Sequence, residues 1–403
     1  MNRILFLSIL LLQCWISAAD NYYCKTIGIE NNLSQSSVTC VTYDGNGSLW
    51  VGTKFGLNEF RNWKLRTFFD DKAENTQGNR INLLFCDSRK NLWTSTDKGI
   101  FRYDLFSDSF IMYDSNPAFC ATESGDTLYF GGHNGISYYS YANDSFSPGT
   151  SETYTDFVML DIYDGALLTV DRKSKVRLRY PGSETQIPIK ECAGNLIMSG
   201  TRIDDILYLA VMNVGLIEYN LKNRETTRVL HSGQNGFPSE LILSMLVYER
   251  FLWMGFDGAG LWIMHRDSGE VKPAGEIEVF PSGDALPNSI TTLYQDPFDN
   301  IWAGSVRNGL VGFKMSPIKL LSEAGIRRES LEDNVVISLL SSKDGNIYVG
   351  TDGGGVKYTS PNESHLQAYP GQKGLKVTSI ADYDSNRLIV SIYNSGFFLM
   401  DRK

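Results

Sequence analysis

A motif that recurs along almost the whole chain limits the fold more than any other feature. Residues 38–60 and 290–313 both contain an apolar run, an Asp-led turn, Leu/Ile-Trp-x-Gly-Thr/Ser, a short loop and then Gly-Leu. The aromatic position of the motif recurs at Trp50, Trp93, Tyr129, Leu168, Tyr208, Trp253, Trp302, Tyr348 and Ile389. The mean spacing is about 42 residues, which is typical of one propeller blade made of four short strands.

We therefore predict an all-β protein, a β-propeller of four-stranded blades with about nine repeats of ~42 residues. Residues 44–47 and 343–346 are hairpin-turn sequences, in which Gly or Asn supplies positive φ. No stretch has the apolar spacing of a helical repeat. Closed rings commonly have about four to eight blades, so nine repeats exceed one ring. We predict one seven-bladed propeller over residues 20–317 and two blades of a second propeller over 318–403.

Residues 1–19 are predicted to be a signal peptide. Arg3 precedes an apolar run from Ile4 to Leu12, and small residues precede a cleavage point after Ala19. The apolar run is short for a membrane anchor, although an uncleaved anchor is the alternative. We expect an exported, periplasmic protein that meets the membrane only through a C-terminal part missing from this chain.

Charge and cysteine content argue against several functions. The net charge is −9, from 37 basic and 46 acidic residues, so we expect no nucleic-acid partner. The six cysteines contain no CxxC pair, and we expect no disulfide framework. The histidines are scattered without metal-ligand spacing, at His133, His231, His265 and His365. We predict no metal and no cofactor, because the glycine tract 352–355 also lacks the Lys-Ser/Thr pair of a phosphate loop.

The loops between the second and third strands of the blades are the predicted ligand site. In a propeller these loops lie near the axis on one face, where polar side chains would line a funnel for a small polar ligand. The candidates are Lys54, Asp97, Lys98, His133, Asn134, Arg172, Asn213, Asp257, Arg307 and Asn308. The alternative is that Asp and Asn are present only as turn formers, although turns do not require Lys, His or Arg. We interpret the tryptophans as packing between blades rather than as sugar-stacking surfaces.

The repeat resembles the two-component-regulator propeller repeat of exported sensors in Bacteroidetes hybrid two-component systems. Residues 29–38 and 49–57 are similar to the start of that family, with Asn32 in place of its usual glycine. The resemblance implies two consecutive seven-bladed propellers, an immunoglobulin-like domain, a membrane helix, a histidine kinase and a receiver with a DNA-binding end. This sequence contains no kinase motif, so we expect a truncated member of the family that is not an enzyme.

The resemblance implies a sensor that binds an oligosaccharide or another small polar ligand. Signalling would follow if the ligand bound two conformational or dimeric states of the receptor with unequal affinity. The receptor would then be a possible homodimer. One alternative is a secreted lyase acting on a polysaccharide or lactone. That enzyme needs a base and a charge stabiliser near the axis, for instance His133 with Arg172 or Arg307. A protein-interaction propeller is the other alternative, and the sequence does not identify the ligand.

Overall fold

The computed structural model describes residues 22–62, 64–68, 78–151, 155–234, 236–274, 287–315, 335–359, 366–370 and 374–402. The predicted signal peptide, residues 1–19, lies outside this part. The described residues form nine β-sheets and two short 3-10 helices, η1 (Ile29–Asn31) and η2 (Lys190–Cys192), which confirms the all-β prediction. In these ranges no helix has the length and hydropathy needed to cross a membrane.

The chain divides into two compact units. The first comprises Cys24–Glu276 and Leu286–Lys314, and the second contains Met315–Lys403. In the first unit, six four-stranded antiparallel sheets follow one another, each with its strands in chain order. We number these sheets as blades one to six.

Their strands have the following bounds. Blade one contains β2 (Val38–Tyr43), β3 (Leu49–Thr53), β4 (Leu57–Arg61) and β5 (Lys64–Phe68); blade two contains β6 (Ile81–Cys86), β7 (Leu92–Thr96), β8 (Gly99–Asp104) and β9 (Ser109–Asp114); blade three contains β10 (Ala118–Ser124), β11 (Thr127–Gly132), β12 (Gly135–Ser140) and β13 (Ser145–Ser151). Blade four contains β14 (Phe157–Tyr163), β15 (Ala166–Asp171), β16 (Val176–Tyr180) and β17 (Ser183–Ile187); blade five contains β18 (Ile197–Ile203), β19 (Ile206–Val211), β20 (Gly215–Asn220) and β21 (Glu225–Leu230); blade six contains β22 (Ile242–Tyr248), β23 (Phe251–Phe256), β24 (Gly260–His265) and β25 (Val271–Pro273).

The seventh sheet of the first unit joins the two ends of that unit. It contains β26 (Ile290–Gln295), β27 (Asn300–Ser305), β28 (Leu310–Met315) and the N-terminal strand β1 (Tyr22–Ile27). The strand order is β1-β28-β27-β26, so β1 is the outermost strand of this blade. The first strand of each blade contacts the first strand of the next, and β26 in turn contacts β2. The seven innermost strands therefore form a closed ring around one axis.

The glycine of the repeated motif leaves room for a side chain of the following blade. A Cβ added at Gly52 would lie 2.7 Å from Cγ2 of Ile81, which begins the innermost strand of blade two. A Cβ at Gly304, in blade seven, would lie 2.6 Å from Cγ1 of Val38, which begins β2. Such distances are shorter than van der Waals contact. The motif requires glycine here because a β-branched residue of the next blade fills the space.

An aspartate in the turn before the second strand binds the tryptophan of the motif. In three blades the indole Nε1 donates to a carboxylate oxygen six residues earlier: Trp50 to Asp44 at 2.8 Å, Trp93 to Asp87 at 2.9 Å and Trp302 to Asp296 at 2.9 Å. The other oxygen of each carboxylate accepts backbone N–H groups of the turn, as at Asn46 and Ser48 in blade one. Trp50 and Trp93 are fully buried, so these rings are core residues and offer no face to a ligand.

The second unit contains two further sheets. One is formed by β29 (Val336–Ser341), β30 (Ile347–Thr351), β31 (Val356–Thr359) and β32 (Gln367–Ala368), and the other by β33 (Val377–Asp382), β34 (Arg387–Ile392) and β35 (Gly396–Asp401). Tyr348, Val377 and Leu388 are buried together between these sheets. Gly350 again makes room for the next blade, because its Cβ would lie 2.6 Å from Cγ1 of Val377.

Candidate functional site

An axial channel of about 890 Å³ lies within the ring of the first unit, lined by the innermost strands of all seven blades. Successive side chains of a strand point to opposite faces, so only part of each innermost strand faces the axis. The lining combines hydroxyl and amide side chains, such as Thr39, Asn82 and Thr291, with apolar ones such as Phe119 and Val158. Its volume lies within the range of small-molecule sites, roughly 300–1,000 Å³.

Charged side chains gather at one end of this channel, which we call the rim. Its members are Arg80, Asp97, His133, Asp156 and Arg172. Each lies in a loop directly before an innermost strand or directly after a second strand. Antiparallel strands place these two kinds of loop on the same face of a blade, so one face carries all five charged or titratable groups.

His133, Asp156 and Arg172 form a cluster of contacting side chains at the rim. The Nδ1 atom of His133 is hydrogen-bonded to one carboxylate oxygen of Asp156, and the Nε atom of Arg172 lies 3.9 Å from the other. The Phe119 ring meets the imidazole edge to face, with 4.5 Å between ring centroids. The Arg172 Nη1 atom lies 3.8 Å from the Met198 sulfur.

Backbone hydrogen bonds hold the loops of this cluster in place. The N–H of Thr155 donates to the carbonyl of His133 at 3.1 Å, and the N–H of Arg172 donates to the carbonyl of Asp156 at 2.8 Å. The carbonyl of Arg172 accepts the N–H of Ile197 at 3.0 Å. The three side chains therefore start from fixed backbone positions, which is how pre-organised binding sites avoid an ordering cost on ligand binding.

Three of the ten candidates from the sequence, Asp97, His133 and Arg172, line the channel. The other seven lie outside its lining. Lys54, Lys98 and Arg307 are exposed, and Asn213 is a turn residue with φ 64°. The remaining three make contacts within loops: Asn134 Nδ2 is 3.4 Å from Asn116 Oδ1, Asp257 accepts a hydrogen bond from Ser289 at 2.6 Å, and the Asn308 N–H donates to Ser305 Oγ at 2.8 Å. A place in the loop between the second and third strands is therefore not sufficient to reach the axis, because Asp97, His133 and Arg172 lie in the same kind of loop.

Sequence reasoning missed Arg80, Asn82 and Asp156. Arg80 and Asp156 directly precede the innermost strands β6 and β14, and Asn82 is the second residue of β6. The available signal was their position in the repeat, because the loop before an innermost strand is the loop nearest to the axis. The ten residues predicted from the sequence all lie between second and third strands.

Two cysteines on innermost strands, Cys40 and Cys120, are poor nucleophiles. Burial raises the pKa of Cys40, which lines the channel, to about 12. The same cause raises the pKa of Cys120 to about 12. A thiol reacts as its thiolate, so both groups are inert near neutral pH. Within the described ranges, no three His, Cys, Asp or Glu side chains are grouped as a metal site.

Family comparison agrees with the resemblance drawn from the repeats. The model of the two component regulator propeller family matches residues 32–55 and 330–353. These segments lie in the first and eighth repeats of the motif. The chain therefore carries two-component regulator propeller repeats, and that prediction is confirmed. None of the curated proteins matches this sequence.

Solved structures with the same architecture include extracellular domains of two hybrid two-component systems from B. thetaiotaomicron. The BT3049 domain is 21% identical with a TM-score of 0.65, covering 94% of this chain and 53% of that one. The BT4673 domain is 18% identical with a TM-score of 0.60, covering 93% and 51%. The WD40 β-propeller domain of Doa1 is 11% identical with a TM-score of 0.54, covering 74% and 98%. These likenesses confirm the β-propeller fold. The chain spans about half the length of the two B. thetaiotaomicron domains.

Proposed function

We propose that this chain is the extracytoplasmic sensor propeller of a hybrid two-component system and binds an oligosaccharide in the axial channel. The observation that carries the proposal is the rim cluster of His133, Asp156 and Arg172 above a channel of small-molecule size. The repeats of the regulator propeller family and the likeness to extracellular domains of hybrid two-component systems support it. A regulatory role without catalysis and an exported location fit the same relatives.

The channel has the groups that sugar recognition requires. Side chains at Thr39 and Asn82 can exchange hydrogen bonds with ligand hydroxyls, while Phe119 offers an apolar ring. Thr291 can only accept, because its hydroxyl donates to the Val38 carbonyl at 2.6 Å. A ligand in the channel touches several blades, because all seven contribute to the lining. Binding shifts the receptor between conformational or dimeric states to the extent that its affinity for the two states differs.

Calorimetric titration of the exported chain with plant and host oligosaccharides tests the proposal. We expect one ligand class to bind, and we expect His133→Ala to weaken that binding by about tenfold or more, or 1.4 kcal/mol. His231→Ala is the matched control, because His231 lies after β21 and does not line the channel. Absence of glycan binding to the folded chain, or full binding by His133→Ala, contradicts the proposal.

A secreted lyase is the second candidate, and one contact favours it. A carboxylate on Nδ1 orients an imidazole for proton transfer at Nε2, and Asp156 is placed in this way against His133. Arg172 lies beside the pair and can stabilise a developing negative charge. Incubation of the chain with polysaccharides should then release unsaturated products that absorb in the ultraviolet. Product release that His133→Ala abolishes supports the lyase, whereas binding without cleavage supports the sensor.

A further inference from the structure

We infer that the ligand of the axial channel carries an anionic group, a carboxylate or a sulfate ester, and that Arg172 binds it at the rim. This inference rests on the proposed function and narrows its ligand class to acidic oligosaccharides. The inference is based on the two arginines of the rim, Arg80 and Arg172. The other contacts of the rim leave their donor groups incompletely paired.

Arg172 presents donor groups that the described residues leave without an oxygen acceptor. Its Nε atom lies 3.9 Å from Asp156, which is an ion-pair distance but too long for a hydrogen bond. Its Nη1 atom meets only the Met198 thioether, at 3.8 Å, and thioether sulfur is a weak acceptor. The side chain is 40% exposed and lines the channel. A guanidinium carries a planar fork of donors that matches a carboxylate in two parallel hydrogen bonds.

The two aspartates of the rim balance its two arginines in formal charge, but they do not satisfy the hydrogen-bond donors of Arg172. One oxygen of Asp156 is engaged by His133, and the Asp97 carboxylate lies against Gly78. Arg80 is exposed, lines the same channel and forms no ion pair with any residue in the described ranges.

A neutral sugar offers these arginines only hydroxyl and ring oxygens, which are uncharged acceptors. A carboxylate or sulfate accepts two parallel, charge-assisted hydrogen bonds from one guanidinium, and such bonds are about twice as strong as those to a neutral oxygen. An acidic oligosaccharide supplies an ionised acceptor for Arg172, while its hydroxyl groups still meet the wall at Thr39, Asn82 and Thr291. The same channel therefore binds an acidic glycan more tightly than a neutral glycan of equal length.

Titration of the full exported chain with matched glycans tests the inference. The probes are an oligogalacturonate, its methyl ester of the same length, and a sulfated disaccharide. We expect an acidic probe to bind about tenfold or more tightly than the neutral ester, and Arg172→Gln to remove that preference. Arg172→Lys should retain part of it, since a lysine keeps the charge but loses the fork. Arg61→Gln, at the end of β4 and outside the channel, should bind as the unaltered chain does.

The arms of the experiment separate the two proposals. Equal affinity for acid and ester, or full acid preference in a folded Arg172→Gln chain, overturns the anion inference and leaves the sensor function standing. Failure of every acidic, sulfated and neutral probe to bind overturns both. Binding of only the uronate or only the sulfated probe supports the inference and identifies which anionic group the channel selects. Far-UV circular dichroism and the urea midpoint establish that each variant is folded.

Discussion

Replacing Asp87 by alanine tests the hydrogen bond that joins the turn of blade two to its buried tryptophan. Asp87 is 4% exposed, and its carboxylate accepts four hydrogen bonds from Arg89, Asn91 and Trp93. Three come from the turn: the N–H groups of Arg89 and Asn91, and the side-chain amide of Asn91. The fourth comes from the Trp93 indole, which is fully buried.

The cost of the substitution divides into two parts. The turn donors of Arg89 and Asn91 lie at the partly exposed end of the blade, where water can replace the carboxylate, so their loss costs about 1 kcal/mol. The Trp93 indole has no access to water, and leaving such a donor unsatisfied costs about 1–3 kcal/mol. We therefore expect Asp87→Ala to lower the free energy of unfolding by about 2–4 kcal/mol, a large effect for one substitution.

Urea unfolding followed by far-UV circular dichroism measures this cost, and a double-mutant cycle assigns it. In a Trp93→Phe background the indole donor is absent, so Asp87→Ala should cost about 1–3 kcal/mol less there than in the unaltered chain. Asp126→Ala is the control, because that carboxylate is 74% exposed and should contribute less than about 1 kcal/mol. A cost below about 1 kcal/mol for Asp87→Ala, or an equal cost in both backgrounds, refutes the reasoning.

Three further predictions follow from the packing and the titrating groups. Gly304→Ala should lower the free energy of unfolding by about 1–3 kcal/mol in urea titrations, because its Cβ would lie 2.6 Å from Val38. Cys120 should resist a thiol reagent at about pH 7.5 until the chain unfolds, since burial raises its pKa to about 12. The hydrogen bond from Tyr139 lowers the pKa of Asp144 in the folded chain. Asp144 therefore stabilises the fold at pH values above the ordinary aspartate pKa, near 3.9, and this stabilisation is lost as the pH falls through the lower pKa of the folded state. Asp144→Asn should flatten the acid limb of a stability profile from about pH 5 to pH 2.

Each of these predictions has its own check. Val38→Ala should restore part of the stability lost in Gly304→Ala, and failure to do so would place the clash elsewhere. Labelling of Cys120 in the native chain at the rate of a free thiol contradicts the burial argument. An acid limb that Asp144→Asn leaves unchanged shows that other carboxylates control the acid transition.

The sequence was sufficient to predict the fold, because every element of a blade is encoded within one repeat. The Trp-x-Gly motif, the Asp-led turn and the Gly-Leu step each recur at a fixed position, as at Trp50, Asp44 and Gly56 in blade one. Their partners are local: Asp87 binds Trp93 six residues later. The repeat itself does not explain why glycine is needed at Gly52. The reason is the Ile81 side chain of the following blade, which occupies the space that a Cβ would fill.

The candidate site was predictable only in part, because it depends on how blades are arranged around the axis. His133, Asp97 and Arg172 were predicted from loop position, and the structure places them at the rim with Arg80 and Asp156. Arg80 and Asp156 lie in another part of the repeat and belong to different blades. A periodic sequence shows which residues belong to each blade, but it does not show how far each residue lies from the axis. The sequence alone therefore determined the repeat, the strands and the buried tryptophans. Ring closure decided which side chains converge, because convergence depends on radial position, and radial position exists only once the blades surround a common axis.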